Sequence, residues 1–143
     1  MNLIVQRIMT AATALSVSAL IDLGERGNSP GDVYHFFAPL RSSPGGQVIC
    51  EVSGSKTLIK LATEANPDLE KRGTLMFFTF GGQDQIVVFG ITDYSPTAGE
   101  FAAGRPVVRP VLGGTGKYMG ARGQLSSTRN ADGSYTQVFT LLK

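Results

Sequence analysis

The sequence predicts an all-β protein, a closed antiparallel barrel of about eight strands. Three observations lead there. Short runs rich in aromatic and β-branched residues recur along the chain, separated by clusters of Gly, Pro, Asn and Asp. No stretch carries a long amphipathic helical period, and no internal repeat is visible. Residues 113–123 (Gly-Gly-Thr-Gly-Lys-Tyr-Met-Gly-Ala-Arg-Gly) hold five glycines in eleven positions, a density suited to a tight corner that feeds a strand. A long antiparallel sheet commonly removes its edges by closing, and eight strands enclose a filled interior or one small ligand.

The elements follow in order. Residues 8–20 are apolar and follow Arg7, which gives them a signal-like cast, with Val17-Ser18-Ala19 as a cleavage-like site. The alternation Leu15, Val17, Ala19, Ile21 favours a strand over 14–23, which leaves 1–13 as a flexible or signal-like lead. Residues 24–31 are a loop of turn-forming residues, and 32–40 a second strand. After a turn at 42–46, a long third strand covers 47–61, with Gly54 as a bulge or bend. Residues 62–73, with Glu64, Asp68, Glu70, Lys71 and Arg72, read as a charged loop or one helical turn.

The clearest hairpin is 75–80 and 86–89 around Gly81-Gly82-Gln83-Asp84. Residues 94–105 read as a loop, and 106–112 as a short extended segment limited by Pro106 and Pro110. The glycine corner leads to a strand at 121–129. Asn130-Ala131-Asp132-Gly133 turns the chain into a last strand at 134–142.

Composition narrows the function. A chain of 143 residues fits one domain, 1–143, able to bury a substantial core. A net charge of +2 without a long basic run argues against a nucleic-acid partner. The apolar N-terminal stretch is too short and too polar to span a membrane as a helix, so no membrane partner is expected. The expected location is cytoplasmic, or secreted if residues 1–19 are a signal peptide. One cysteine, Cys50, excludes an intramolecular disulfide. One cysteine and one histidine cannot build an ordinary structural zinc site, and no metal is expected. The glycine run is also not a phosphate loop. A Walker motif needs Gly where Val111 stands and Ser or Thr where Tyr118 stands, and a dinucleotide fingerprint needs Gly at Met119.

Gly113-Gly-Thr-Gly-Lys-Tyr118 followed by Gly120-Ala-Arg-Gly123 resembles the signature of the allene oxide cyclase and dirigent superfamily. Asp22-Leu-Gly24, Asn28-Ser-Pro-Gly-Asp32, Phe36 and Pro39-Leu40 resemble its first loop and second strand, and the likeness spans nearly all of 14–143. The resemblance implies an eight-stranded antiparallel barrel with a mostly apolar cavity, often a trimer, or a dimer as in bacterial barrel cyclases. It implies a protein that folds a reactive hydrophobic intermediate and guides its ring closure or coupling, without a redox cofactor. The chain departs from the plant cyclases, whose water-orienting asparagine falls at Ala38 and whose cavity cysteine falls at Lys56. Cys50 stands where a glycine is common in the family, and Gly116 stands where lignan-forming dirigents often have aspartate.

The resemblance makes Arg122 the leading catalytic candidate, since dirigent members use the matching arginine at the cavity. A guanidinium offers a forked donor to a developing oxyanion. Tyr94 lies near the position of a cavity tyrosine in the cyclases, and a phenol can donate a hydrogen bond or act as an acid. Tyr34 is the third catalytic candidate. His35, Phe36, Glu51, Lys56, Phe78, Phe89 and Tyr118 are the substrate-binding candidates. Tyr34 and His35 are adjacent and face opposite sides of a strand, and Glu51 and Lys56, five apart, do the same. Cys50 is read as a packing residue rather than a nucleophile.

The expected function is a cofactor-free cyclase that folds a hydrophobic polyketide- or lipid-like intermediate and controls stereoselective ring closure in specialised metabolism. The alternative is a non-catalytic dirigent-type or carrier barrel that orients an intermediate made by another enzyme. Its partners are a small hydrophobic substrate and further copies of itself, as a trimer or dimer.

Overall fold

The computed structural model describes residues 5–12, 16–66, 69–95 and 101–142. Nine strands run through them: β1 (Val5–Ala12), β2 (Ser16–Ile21), β3 (Val33–Arg41), β4 (Val48–Lys60), β5 (Glu70–Thr79), β6 (Gln85–Tyr94), β7 (Val107–Thr115), β8 (Arg122–Arg129) and β9 (Tyr135–Leu142). The one helical element among the described residues is a single 3-10 turn, Gly116–Tyr118. All strands join one antiparallel sheet in the order β1-β9-β8-β7-β6-β5-β4-β3-β2. The expected all-β antiparallel class is therefore observed.

The N-terminal strand is the main departure. Residues 5–12, read as part of a lead, pair with β9 from Val5↔Leu142 to Ala12↔Tyr135. The same strand also meets β3 at Ala11↔Arg41 and Ala12↔Leu40. Beyond that point β2 takes over the β3 edge, from Ser16↔Phe37 to Ile21↔Val33. Thus β1 and β2 succeed each other along one edge, and the seam between β1 and β3 is two residue pairs long. The expected closure into a barrel is not observed: β1 and β3 meet only at those two pairs, too few to join the sheet's ends along their length. Residue 13 of the expected lead and residues 14–15 of the expected first strand lie outside the described residues, as do 67–68 and 96–100 within the expected loops.

Period-two alternation decides what faces inward. Phe36, Ala38 and Leu40 of β3, Val52 of β4, Met76 and Phe78 of β5 and Ile86 and Val88 of β6 form one buried apolar core. Leu125 of β8 and Phe139 and Leu141 of β9 also belong to it. Phe78 and Phe139 meet edge to face at 4.8 Å, a favoured aromatic geometry. Gly54 sits at neither register shift of β4, so it is not the expected bulge. A Cβ there would collide with the Leu75 carbonyl and approach the Phe36 ring, so close packing requires the glycine.

The glycine corner joins β7 to β8. Gly116, Gly120 and Gly123 adopt positive φ of 60°, 79° and 146°. Gly114 is glycine for a different reason: a Cβ would stand 2.6 Å from the Gln85 carbonyl oxygen and 2.7 Å from that of Tyr118. Asp84 fastens the corner by accepting the Lys117 N–H at 3.0 Å, with Lys117 Nζ 3.6 Å away. Tyr118 packs on Phe80 with centroids 4.9 Å apart.

Candidate functional site

The loop 22–32, the turn 130–134 and the described residues that follow β4 and β6 lie at the end of the sheet opposite the glycine corner. Beneath them the interior turns polar. Lys56 of β4, Glu70, Arg72 and Thr74 of β5, Arg109 of β7, Ser127 of β8 and Gln137 of β9 are all buried. Burying ionised groups is costly unless they are paired, so their partners define the site.

Arg72 is paired. Its Nε donates to Glu70 Oε1 at 2.8 Å, and its Nη2 donates to the same oxygen. Asn28 Nδ2 donates to Glu70 Oε2 at 3.3 Å. The guanidinium also lies 4.6 Å from the Tyr34 ring centroid and 5.7 Å from that of Tyr94, within cation–π range. On a strand, residues two apart share a face, which is why Glu70 and Arg72 meet.

Arg109 is different. Its Nη2 donates to the Tyr94 hydroxyl at 3.1 Å and its Nη1 to Ser127 Oγ at 3.4 Å. Ser127 in turn donates to Gln137 Oε1 at 2.6 Å, and Thr74 shares a hydrogen bond with Tyr94 at 3.2 Å. Among the described residues Arg109 has no carboxylate partner, and its buried Nε has no hydrogen-bond partner at all. The stem of Arg109 lies over Gly90, where a Cβ would stand 2.8 Å from Arg109 Cγ.

These groups surround a void of about 20 Å³, lined by Phe36, Lys56, Tyr94, Phe101, Arg109 and Tyr135 among others. That is room for roughly one water molecule. A central apolar cavity of substrate size is not present in this conformation. The apolar half of the interior is filled by its own side chains, and the remaining void has a mostly apolar surface, with Lys56, Arg109, Ser127 and Gln137 among its lining. Outside it, a larger cavity of about 660 Å³ opens between Leu69, Thr92, Arg105, Pro106, Val107 and Arg129. Phe101 lines both spaces, edge-on to Tyr94 at 5.9 Å and to Tyr135 at 5.7 Å.

Of the sequence candidates, Tyr94, Tyr34, Lys56 and Phe36 come together here. Lys56 Nζ lies 5.3 Å from the Tyr94 ring centroid. Phe78 is buried deeper, in the apolar core against Phe139. Tyr118 lies under the glycine corner, where burial pushes its phenol above the usual tyrosine range and Lys117 partly offsets that. His35 is half-buried on the face opposite Tyr34, and Glu51 and Phe89 are exposed.

Arg122 is not brought to the interior. Leu125 and Ser127 point inward on β8, so Arg122, three residues from Leu125, points outward and is exposed. It lines neither the void nor the outer cavity. Cys50 is buried, and desolvation, reinforced by the charge of Glu51, raises its thiol to about 12, which leaves it a packing residue at neutral pH.

The sequence reading missed Glu70, Arg72, Arg109, Ser127 and Gln137. Glu70 and Arg72 were assigned to a loop because the segment is charged. The inward parity of Met76 and Phe78, extended backwards through Thr74, reaches both of them. Arg109 likewise holds the parity of Val111.

Among the described residues no group of three potential metal ligands gathers, and no helix is long and apolar enough to cross a membrane.

No protein-family model matches the sequence, and no curated protein does. Solved structures do match in fold. A pyocyanin demethylase aligns with a TM-score of 0.71 at 19% identity, over 96% of this chain and 99% of that one. The Diels Alderase AbmU from Streptomyces koyangensis aligns with a TM-score of 0.68 at 19% identity, over 99% and 68%. The pterocarpan synthase dirigent protein GePTS1 aligns with a TM-score of 0.61 at 13% identity, over 96% and 88%. The glycine corner and the strand order thus lead to the same place: the chain has the fold shared by these Diels Alderase and dirigent proteins.

Proposed function

We propose that this chain is a cofactor-free cyclase of the broad allene oxide cyclase and dirigent type, acting on a small hydrophobic intermediate that already carries its own chemical drive. The observation that carries this reading is Arg109, a buried guanidinium with no carboxylate among the described residues, an unpartnered Nε, and a hydrogen bond to the Tyr94 hydroxyl. A structural arginine would be expected to meet a carboxylate, as Arg72 does. Arg109 is instead free to stabilise negative charge that develops on a guest.

The proposed step needs little chemistry from the protein. The guest enters past Phe101, whose displacement joins the 20 Å³ void to the 660 Å³ outer cavity. A carbonyl of the guest accepts a hydrogen bond from Tyr94, whose oxygen is polarised by Arg109. This withdraws electron density and favours intramolecular ring closure, in which new carbon–carbon bonds form at the expense of π bonds. No proton or electron is gained or lost, so the balance requires no cofactor. Phe36, Phe101 and Tyr135 fix the folded shape, and orientation of this kind lowers a barrier by up to about 7–11 kcal/mol. In this reading the sheet works as a barrel, with β1 and β2 together serving as the strand that joins β9 to β3. The exposed outer face carrying Phe37, Phe77, Phe89, Ile91 and Val108 then serves a second copy of the chain.

The test uses purified chain with linear diene–dienophile and quinone-methide precursors, with products resolved by chiral chromatography. Faster, stereoselective closure by the protein alone is expected, reduced about a hundredfold or more in Tyr94→Phe and Arg109→Gln. Selectivity that appears only with an added oxidase favours the dirigent role, suggested by the fold shared with GePTS1. No effect on any precursor, with or without oxidase, overturns both.

A further inference from the structure

The outer cavity has a charge character that the interior reading does not use. Arg105 and Arg129 both line it, and among the described residues neither is paired with a carboxylate. The one acid among the described residues of its wall, Asp93, is already held by Lys71 at 2.7 Å. Thr92, buried with 8% exposure, also lines the cavity and leaves its Oγ1 without a partner. The rest of the wall is mostly apolar: Leu69, Phe101, Ala102, Pro106 and Val107, with Ser95 beside them. One space therefore combines two cations that have no carboxylate partner among the described residues, the Thr92 hydroxyl and a largely apolar floor.

From this we infer that the outer cavity is a binding site for the acidic end of an amphiphilic anion, a carboxylate or an enolate on an apolar body. Arg105 and Arg129 hold the acid, the Thr92 hydroxyl donates to it, and the apolar body lies over Phe101 towards Arg109. The inference rests on the reading above in taking this end of the sheet as the entrance. It adds the substrate class: an acid rather than a neutral hydrocarbon or ester. The volume of about 660 Å³ is within the range of small-molecule sites.

The chain contains no tryptophan, so Phe101→Trp places a single fluorescent reporter in the wall shared by the two spaces. The probes are decanoate and 1-decanol, alike except for the charge. Decanoate is expected to shift the emission of the F101W protein at lower concentration than decanol. Arg105→Gln with Arg129→Gln is expected to weaken decanoate about fivefold or more and leave decanol unchanged. Added salt is expected to weaken decanoate alone, because these charges are near solvent. Equal response to both probes, or decanoate binding that the double variant does not change, overturns the inference. If Phe101→Trp fails to fold, calorimetric titration of the unaltered chain and of the Arg105/Arg129 double variant makes the same comparison. None of these readings depends on ring closure. Preference for the acid can stand while the catalytic role of Arg109 fails, and the reverse also holds.

Discussion

Gly90 makes the room that Arg109 occupies. The two residues lie on neighbouring strands, and a Cβ on Gly90 would stand 2.8 Å from Arg109 Cγ and 3.1 Å from its Cβ. The glycine therefore fixes where the guanidinium reaches, and with it the hydrogen bond to Tyr94. Gly90→Ala is expected to destabilise the fold by about 1–3 kcal/mol through crowding. In urea denaturation, Arg109→Ala should absorb part of that cost, so the double variant is less unstable than the two losses added together. Strict additivity would separate the two residues.

Arg109→Met removes a buried charge that has no carboxylate among the described residues while keeping much of the stem volume. Tyr94 retains Thr74 as a partner, and Ser127 retains Gln137. The melting temperature is expected to hold or rise, because an uncompensated charge is costly to bury. A clear fall in melting temperature would show that Arg109 stabilises the fold and is not kept for a guest.

Glu70→Gln should act in the opposite direction. It leaves Arg72 buried without its carboxylate, at an expected cost of about 3–5 kcal/mol. Chemical denaturation measures it. A loss below about 1 kcal/mol would mean that Tyr34 and Tyr94 hold the cation on their own.

Gly114→Val should lower the melting temperature sharply or prevent folding, because the added carbon meets two carbonyl oxygens and the Tyr118 Cβ. The cause is crowding, since φ at this position is not positive. An unchanged melting temperature would contradict the packing of Tyr118 beneath the corner.

Asp32 gives the fold an acid limb. It accepts N–H groups from Ser29 at 2.9 Å and Leu23 at 2.8 Å, and these bonds hold its carboxyl below the usual range. A carboxyl lowered in the folded state contributes stability above its unfolded value and loses it as pH falls through the folded value. Stability should therefore decline on acidification below about pH 4. Asp32→Asn should be less stable at neutral pH and show a shallower decline. Parallel urea curves for the two proteins between neutral and acid pH check this, and identical slopes would remove Asp32 from the acid limb.

The outline of the fold was legible in the sequence. Alternation and turn chemistry placed the 75–89 hairpin, the turn at 130–133 and the glycine corner, because hydrophobic period and glycine tolerance are local properties. Parity also placed Tyr34 opposite His35 and Lys56 opposite Glu51. Charge concealed the rest. Glu70 and Arg72 looked like loop residues because a sequence shows a charge but not the partner that neutralises it. Arg122 looked like the cavity arginine because its motif was visible, whereas facing depends on counting from an anchor such as Leu125. The tertiary structure alone decided that β1 lies against β9, that Arg109 fills the space beside Gly90, and that Phe101 stands between the two cavities. Those relations join residues far apart in the chain, and only the closeness of strands β6, β7 and β9 in space brings them into contact.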